Sequence, residues 1–399
     1  MITSPAPKTE VKEASERVYA LDALRAAMML LGIVLHASIT YGAIDYQEAW
    51  PLKDSSTSPL FDLVVVFIHT FRMPVFFVAA GYFGSLLFYK KGPRAMLLNR
   101  FRRIVLPFVA GVLVISPLIS AALAFTQTSF ANSSPALTAA VDTLIRGNFL
   151  PLRIAHLWFL YFLIMYALLG WSLGILFKKK TNFTVFIYQA FSRIFQIFWL
   201  RIISMAVALF LCLYWMKSPF ILTNNQWSVD PATFVIYFVF FGTGWMLYKT
   251  NCLQNLTQYP ILQLSIATLL FLVASLTPWP TEPWALTVQQ GLNALHGSLF
   301  IFGFITFFTS YFNSYSPRLT YIMDSAYWVY IIHMPIVVFV PGLMAGSALP
   351  IFIKFAITFS VTTIICFATY QSFVRGSFIG MFLNGKVYKK DLARSEAIN

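Results

Sequence analysis

Charge is what this chain has least of. Only 11% of its 399 residues are Asp, Glu, Lys or Arg, against roughly 25% in an average soluble domain. A chain with 59% hydrophobic residues and a mean hydropathy of +0.73 cannot coat a water-facing surface. Cysteine is scarce too: Cys212, Cys252 and Cys366 are far apart and form no CxxC pair, which excludes a disulfide framework and a cysteine metal site. Met1 to Tyr19 is polar, and the first apolar stretch carries Arg25 and His36. That stretch reads as a retained span, not a removable signal peptide. Disordered, collagen-like and disulfide-stapled classes are excluded. What is abundant is aromatic, with 41 Phe, 19 Tyr and 10 Trp, fitting lipid-facing surfaces with interfacial belts.

A bilayer core of about 30 Å needs about 20 mostly apolar helical residues. Ten stretches qualify, near 20–41, 61–88, 104–125, 154–177, 195–216, 231–249, 260–277, 289–311, 321–343 and 350–373. The formal charge of +14 raises the question of nucleic acid, but its distribution answers differently. Lys8, Lys12 and Arg17 lie in the N-terminal tail. Lys90, Lys91, Arg94, Arg100, Arg102 and Arg103 fall in the second connection, and Lys178, Lys179, Lys180, Arg193 and Arg201 in the fourth. Lys249, Arg318, Arg375, Lys386, Lys389, Lys390 and Arg394 complete one side, which holds 21 of the 28 basic residues. The other side has four (Lys53, Arg146, Arg153, Lys217), and Arg25, Arg72 and Lys354 lie within spans. By the positive-inside rule both termini are cytoplasmic, and no nucleic-acid partner is expected. The expected fold is an all-α integral membrane bundle of about ten helices spanning 20–373, with cytoplasmic tails at 1–19 and 374–399. Span length and the lack of alternating ten-residue segments argue against a barrel. No internal repeat of the transporter kind is visible.

An ionisable side chain costs about 2.5–3.5 kcal/mol at mid-membrane on translocon scales, so each one is a functional candidate. Arg25 and His36 are eleven residues apart, about three turns and about 16 Å along one helix face. That face offers a permanent cation near the cytoplasm and a titratable base nearer the outside. Imidazole is the usual group for removing a proton from a hydroxyl at neutral pH. His69 and Arg72 lie one turn apart in the second span, beside Pro74, which should kink the helix and free a carbonyl. An Arg this deep needs a carboxylate, carbonyls or a ligand anion. His156, His296 and His333 complete a set of five histidines, all in the outer half or at the midplane, which suggests a polar cavity open to the outer face. No HxxH, HxxxH or HExxH spacing supports a metal. The basic run at Arg100, Arg102 and Arg103 reads either as a headgroup anchor or as a fork-shaped phosphate site. Asp22, Asp62 and Asp324 fall near helix starts, where capping explains them.

Several blocks together resemble the acyltransferase 3 family of multi-spanning membrane acyltransferases. They are LDALRAAMMLLGIVLH, with its Arg-X10-His pattern at Arg25 and His36; FRMPVFFVAAGYF at 71–83; an RxxRxxxP-like run at Arg100, Arg103 and Pro107; HLWFL at 156–160; and SAYWVYIIHMP ending on His333, Met334 and Pro335. Within the family the pattern is similar to a branch associated with succinylation of periplasmic glucans. One departure is plain: Ala80 precedes Gly81 and Tyr82 where many relatives have Ser, so no role of that hydroxyl carries over.

The resemblance implies O-acyl transfer, of a succinyl or acetyl group, from cytoplasmic acyl-CoA to a hydroxyl of an extracytoplasmic glycan at a bacterial inner membrane. It assigns His36 and Arg25 to the catalytic centre and Arg100 and Arg103 to the CoA phosphates, with no metal. His69, Arg72, His156, Trp158 and His333 are the further candidates for the cavity or acceptor site. The rival reading is a proton-coupled secondary transporter or exporter of a glycan or lipid-linked sugar, since intramembrane Arg and His fit a carrier as well. Against it stand the absence of paired broken helices and of a mid-span Asp or Glu chain.

Overall fold

The computed structural model describes residues 18–133, 135–146, 153–178, 181–385 and 388. Lys8, Lys12, Arg17, Lys179, Lys180, Lys386, Lys389, Lys390 and Arg394 lie outside the described residues, as do most of the two tails. The described chain is helical almost throughout. Its elements are α1 (Tyr19–Ile39), α2 (Pro59–Lys91), α3 (Pro93–Phe130), α4 (Ala136–Ile145), α5 (Ala155–Leu176), α6 (Asn182–Gln196) and α7 (Phe198–Met216). They continue with α8 (Pro231–Lys249), α9 (Pro260–Leu276), α10 (Pro283–Tyr311), α11 (Pro317–Leu343), α12 (Ile351–Val374) and α13 (Phe378–Asn384). Among the described residues, nine of these helices are long and apolar enough to cross a bilayer. The seventh expected span, α9, is present as a shorter apolar helix of 17 residues; at 1.5 Å per residue it is about 26 Å long, against a bilayer core of about 30 Å.

Proline marks the starts. Pro59, Pro93, Pro231, Pro260, Pro283 and Pro317 each open a helix, where the missing N–H costs nothing and φ is pre-set. Ser58 and Asp230 add side-chain caps, Asp230 accepting from Thr233 N at 2.7 Å. Helix α2 runs continuously through Pro74. Between α2 and α3 only Gly92 intervenes, with φ +94°, a value a side chain would resist. Arg94, Arg100, Arg102 and Arg103, expected in a connection, therefore sit on α3 itself. Two π-helical turns, Phe101–Val105 and Gly111–Ile115, flank Pro107 within it; such turns re-aim the side chains they carry.

Helices α1, α2, α10 and α11 form the interior, and α12 and α7 are peripheral. The tightest seam joins α2 to α8. A Cβ at Gly81 would collide with the Phe241 carbonyl, and one at Gly244 with the Val78 carbonyl, so both glycines are needed for backbone-to-backbone packing of the small-residue kind. Three sequence expectations change. Arg201, counted with the fourth connection, is inside α7 and fully buried. Asp324 is two turns into α11 and bonds to the Tyr388 hydroxyl. Asp62 does not cap its own helix; it accepts from the amides of Ala43 and Ile44 at 2.6 and 3.2 Å, tying down the loop after α1. Helices α4 and α6 were not anticipated. In α6, Thr181 and Thr184 form a reciprocal cap, and Phe183 and Phe186 project outward.

Candidate active site

A cavity of about 870 Å³ opens among the ends of α1, α2, α3, α5, α7, α10 and α11 on the side opposite the basic loops. That volume suits a small-molecule site. Its roof is made of the loops at 46–51 and 219–225. At the rim Arg153 pairs with Glu48. Tyr46 also lines it, and burial, reinforced by Asp62, pushes its phenol up to about 12, so it remains a neutral hydrogen-bonding group at physiological pH.

The roof loop is anchored from below. Asp54 meets Lys354 of α12 through both carboxylate oxygens, at 3.0 and 3.1 Å, with both side chains 2% exposed. The Asp54 amide donates to the Thr40 carbonyl, and the Trp50 indole N–H donates to Thr40 Oγ1 at 3.0 Å. This fixes Trp50 in a stack on His36, with ring centroids 5.6 Å apart and planes 17° from parallel.

Three histidines from three helices then converge. His333 of α11 lies 5.3 Å, ring to ring, from both His36 of α1 and His156 at the start of α5. His333 Nδ1 faces the carbonyls of Val329 and Tyr330 at 3.1 and 2.8 Å. Carbonyls only accept, so Nδ1 carries the proton, and Nε2 is left without a partner among the described residues. By the same logic His156 Nε2 donates to Ile331 O at 3.2 Å, leaving Nδ1 without a partner among the described residues, while the Tyr330 hydroxyl donates to the His156 carbonyl. The ring of His36 has no hydrogen bond to the described residues, and its Nδ1 is buried and unpartnered. His36 and His156 line the cavity, with His333 packed behind them.

Arg72 of α2 reaches across to α1 one helical turn below His36. Its Nε donates to Met28 O at 2.8 Å, and its terminal nitrogen occupies the space that a side chain at position 32 would fill. Gly32, four residues before His36, is thus what admits the guanidinium. Arg72 is buried, lines the cavity and forms no ion pair among the described residues. Its charge acts on His36, His156 and His333 together. A fixed cation in a low-dielectric wall is suited to stabilising a developing oxyanion. Trp158, packed on Tyr237 at 5.2 Å, supplies part of the aromatic wall, and His69 bonds through Nε2 to Ile221 O at 2.9 Å.

Arg25 is elsewhere. It pairs with Asp22 at 3.3 Å, lies over Phe83 and does not line the cavity. It is close enough to Arg100 and Arg103 for the three like charges to repel. Arg100 keeps one buried nitrogen without a partner among the described residues, and the Arg103 carbonyl accepts from Tyr327 at 2.7 Å. Guanidinium groups gathered in this way have the fork geometry that matches the oxygens of an anion. The expected residues therefore form two centres. His36, His69, Arg72, His156 and Trp158 line the cavity, with His333 behind, and Arg25, Arg100 and Arg103 gather near the basic face. The sequence reading missed Trp50, Asn293, the Glu48–Arg153 pair and the Asp54–Lys354 anchor, and it counted His296 toward the cavity without naming it as a site residue. A lone Lys in the apolar stretch at 351–369 was the one available signal for the anchor. Among the described residues no group of three His, Cys, Asp or Glu is placed to hold a metal.

A family model described as an acyltransferase domain matches residues 18–371, nearly the whole chain. The chain belongs to the acyltransferase 3 family. It is a multi-pass membrane O-acyltransferase. Among curated proteins it is similar to glucans biosynthesis protein C of Escherichia coli, in strain K12 and in strain SMS-3-5 / SECEC alike. Each is 25% identical over 339 residues, which cover 82% of this chain and 83% of the relative. No solved structure matches it significantly. The family match extends over both centres, from before Arg25 to beyond His333.

Proposed function

We propose that this acyltransferase moves a succinyl or acetyl group from cytoplasmic acyl-CoA to a hydroxyl of an extracytoplasmic glycan, in the inner membrane of a bacterium, with His36 as general base. The observation that carries this reading is the order of groups along α1. The basic cluster holding Arg25 lies at one end, Arg72 lies against Met28 and Gly32 in the middle, and His36 lies in the cavity at the other end. Phosphates of the donor would bind Arg100 and Arg103, with Arg25 positioning the donor beside them, and the acyl arm would run toward Arg72. In the transfer, the acceptor O–H gives its proton to His36 as its oxygen attacks the thioester carbonyl. Arg72 faces the resulting oxyanion. Collapse breaks the C–S bond, and the departing thiolate recovers the proton from the imidazolium. Trp50 holds the His36 ring, and His156, His333 and His69 line or back the acceptor space.

The carrier alternative has no feature here that favours it over the family's chemistry. The test is mass spectrometry of envelope glycans from cells carrying the wild-type chain or His36→Ala at equal membrane levels. The wild type should add the mass of one acyl group, and His36→Ala should add none. Undiminished acylation by the variant would remove His36 from the mechanism, and thermal stabilisation of the purified protein by CoA esters would report the donor separately.

A further inference from the structure

One wall of the cavity is not used by this chemistry. On α10, Gln290, Asn293 and His296 form a ladder facing the loop after α7. Gln290 Nε2 donates to Leu213 O at 3.0 Å and to Ser218 O, and Asn293 Nδ2 donates to Pro219 O at 2.7 Å. The Asn293 bond fixes which way its amide points. With its nitrogen given to a carbonyl, Asn293 can offer His296 only its oxygen, which lies 2.7 Å from His296 Nε2. His296 Nε2 therefore carries the proton, and in the neutral ring Nδ1 is an acceptor only. That atom has no partner among the described residues, although His296 is 2% exposed and lines the cavity. Phe271 and Phe300, both edge-on to the ring, hold its orientation.

Across the cleft His69 repeats the device from α2, since its Nε2–H donates to Ile221 O and leaves Nδ1 as acceptor. The two helices touch here, Thr70 lying 3.8 Å from where a Gly297 Cβ would stand, and His69 and His296 line the same cavity as the loop at 219–225. A buried acceptor without a donor costs about 1–3 kcal/mol. The structure holds two lone pairs in place by bonds to acceptor atoms, on the α2 and α10 side of the cavity whose wall also carries His36 and His156, with His333 behind them.

We propose that His296 and His69, oriented by Asn293 and the Ile221 carbonyl, form a second acceptor subsite that binds hydroxyl groups of a carbohydrate, away from the sugar whose hydroxyl reacts at His36. The chemistry of the subsite selects O–H donors. A polyhydroxylated chain matches it, whereas an ester, an ether or a carboxylate has no hydrogen to give. The inference rests on the glycan-acceptor reading above and extends it, naming the residues that would let a chain of sugars bind better than a single one.

The test is calorimetric titration of the full chain in lipid nanodiscs with a mixture of β-linked glucose tetrasaccharides, the permethylated mixture, glucose, and acetyl-CoA. The tetrasaccharides should bind more tightly than glucose, and the permethylated form, which lacks O–H donors, should not bind. His296→Phe should weaken tetrasaccharide binding about tenfold (about 1.4 kcal/mol) with acetyl-CoA binding unchanged. His296→Asn, whose side-chain oxygen replaces Nδ1 as acceptor, should recover part of that loss, which a purely structural role for His296 would not produce. Tetrasaccharide binding by His296→Phe equal to wild type would overturn the subsite, as would equal binding of the permethylated form. Acetyl-CoA binding with no tetrasaccharide binding in the wild type would also overturn it. Loss of acetyl-CoA binding alone, with His296-dependent sugar binding intact, would sink the donor assignment and leave the subsite standing.

Discussion

Removing the Asp54 carboxylate should be among the most damaging single changes outside the cavity. Asp54 and Lys354 meet at 3.0 and 3.1 Å with both side chains 2% exposed. A buried pair adds little net stability, because desolvation offsets attraction, but breaking it leaves a buried charge and costs about 3–5 kcal/mol. The two halves are not equivalent. In Asp54→Ala the ammonium of Lys354 loses the carboxylate that neutralises it. In Lys354→Met the carboxylate keeps the Ser56 amide at 2.9 Å and the Ser55 hydroxyl, so the loss should be smaller. At about 2 °C per kcal/mol for a large domain, Asp54→Ala should lower the melting temperature by about 6–10 °C. The double variant Asp54→Ala/Lys354→Met should recover much of this, since neither charge is then stranded. Cys212, Cys252 and Cys366 are all buried and free, so a thiol-reactive dye reports unfolding in detergent directly. The same loop carries Trp50 onto His36, so turnover should follow stability down and partly back. An Asp54→Ala melting point within about 1 °C of wild type, or a double variant no more stable than Asp54→Ala, would refute the argument.

Replacing Arg100 or Arg103 by Ala should remove a charged hydrogen bond worth about 1.5–3 kcal/mol and so weaken CoA-ester binding about 10- to 100-fold, read by titration, with folding unchanged. Gly244→Val should abolish accumulation of folded protein, because its Cβ falls on the Val78 carbonyl, whereas Gly242→Ala, with nothing within 4 Å, should behave as wild type in size-exclusion profiles. Arg201 is fully buried, with none of its three nitrogens bonded to the described residues. Arg201→Met should therefore raise the melting temperature by a few degrees, roughly 1–3 kcal/mol in free energy, and a lower value would mean that a lipid or solvent partner holds this cation. Gly32→Val should displace Arg72 from beneath His36 and reduce turnover far more than thermal stability, as measured by acyl transfer and dye unfolding on one preparation.

Much of this was legible along the chain. The helical bundle, the number of apolar spans and the basic face depend on properties that sum residue by residue, and runs of about 20 apolar side chains have few ways to satisfy their backbone in lipid. Helix ends were less so. Arg94 to Arg103 read as a connection because a run of cations resembles a cytoplasmic loop. Yet Gly92 completes the turn by itself, and α3 carries those cations from its first turn. Arg201 misled for the same reason, since charge predicts position only on average. Asp324 also departed from its capping role because its partner, Tyr388, lies 64 residues away.

The sequence by itself determined the class of protein, the positions of its apolar helices along the chain and the list of ionisable groups a bilayer would have excluded without a reason. It also placed Arg25 and His36 on one helix, three turns apart. Only the tertiary structure decided that Arg25 joins Arg100 and Arg103 while His36 joins His156 and His333, since neighbours on different helices are set by packing and not by spacing. It alone placed Arg72 against Gly32, Trp50 over His36 through an anchor 300 residues away in sequence, and a bare nitrogen of His296 in the cavity wall. Those features depend on distances between helices, which no local pattern of residues encodes.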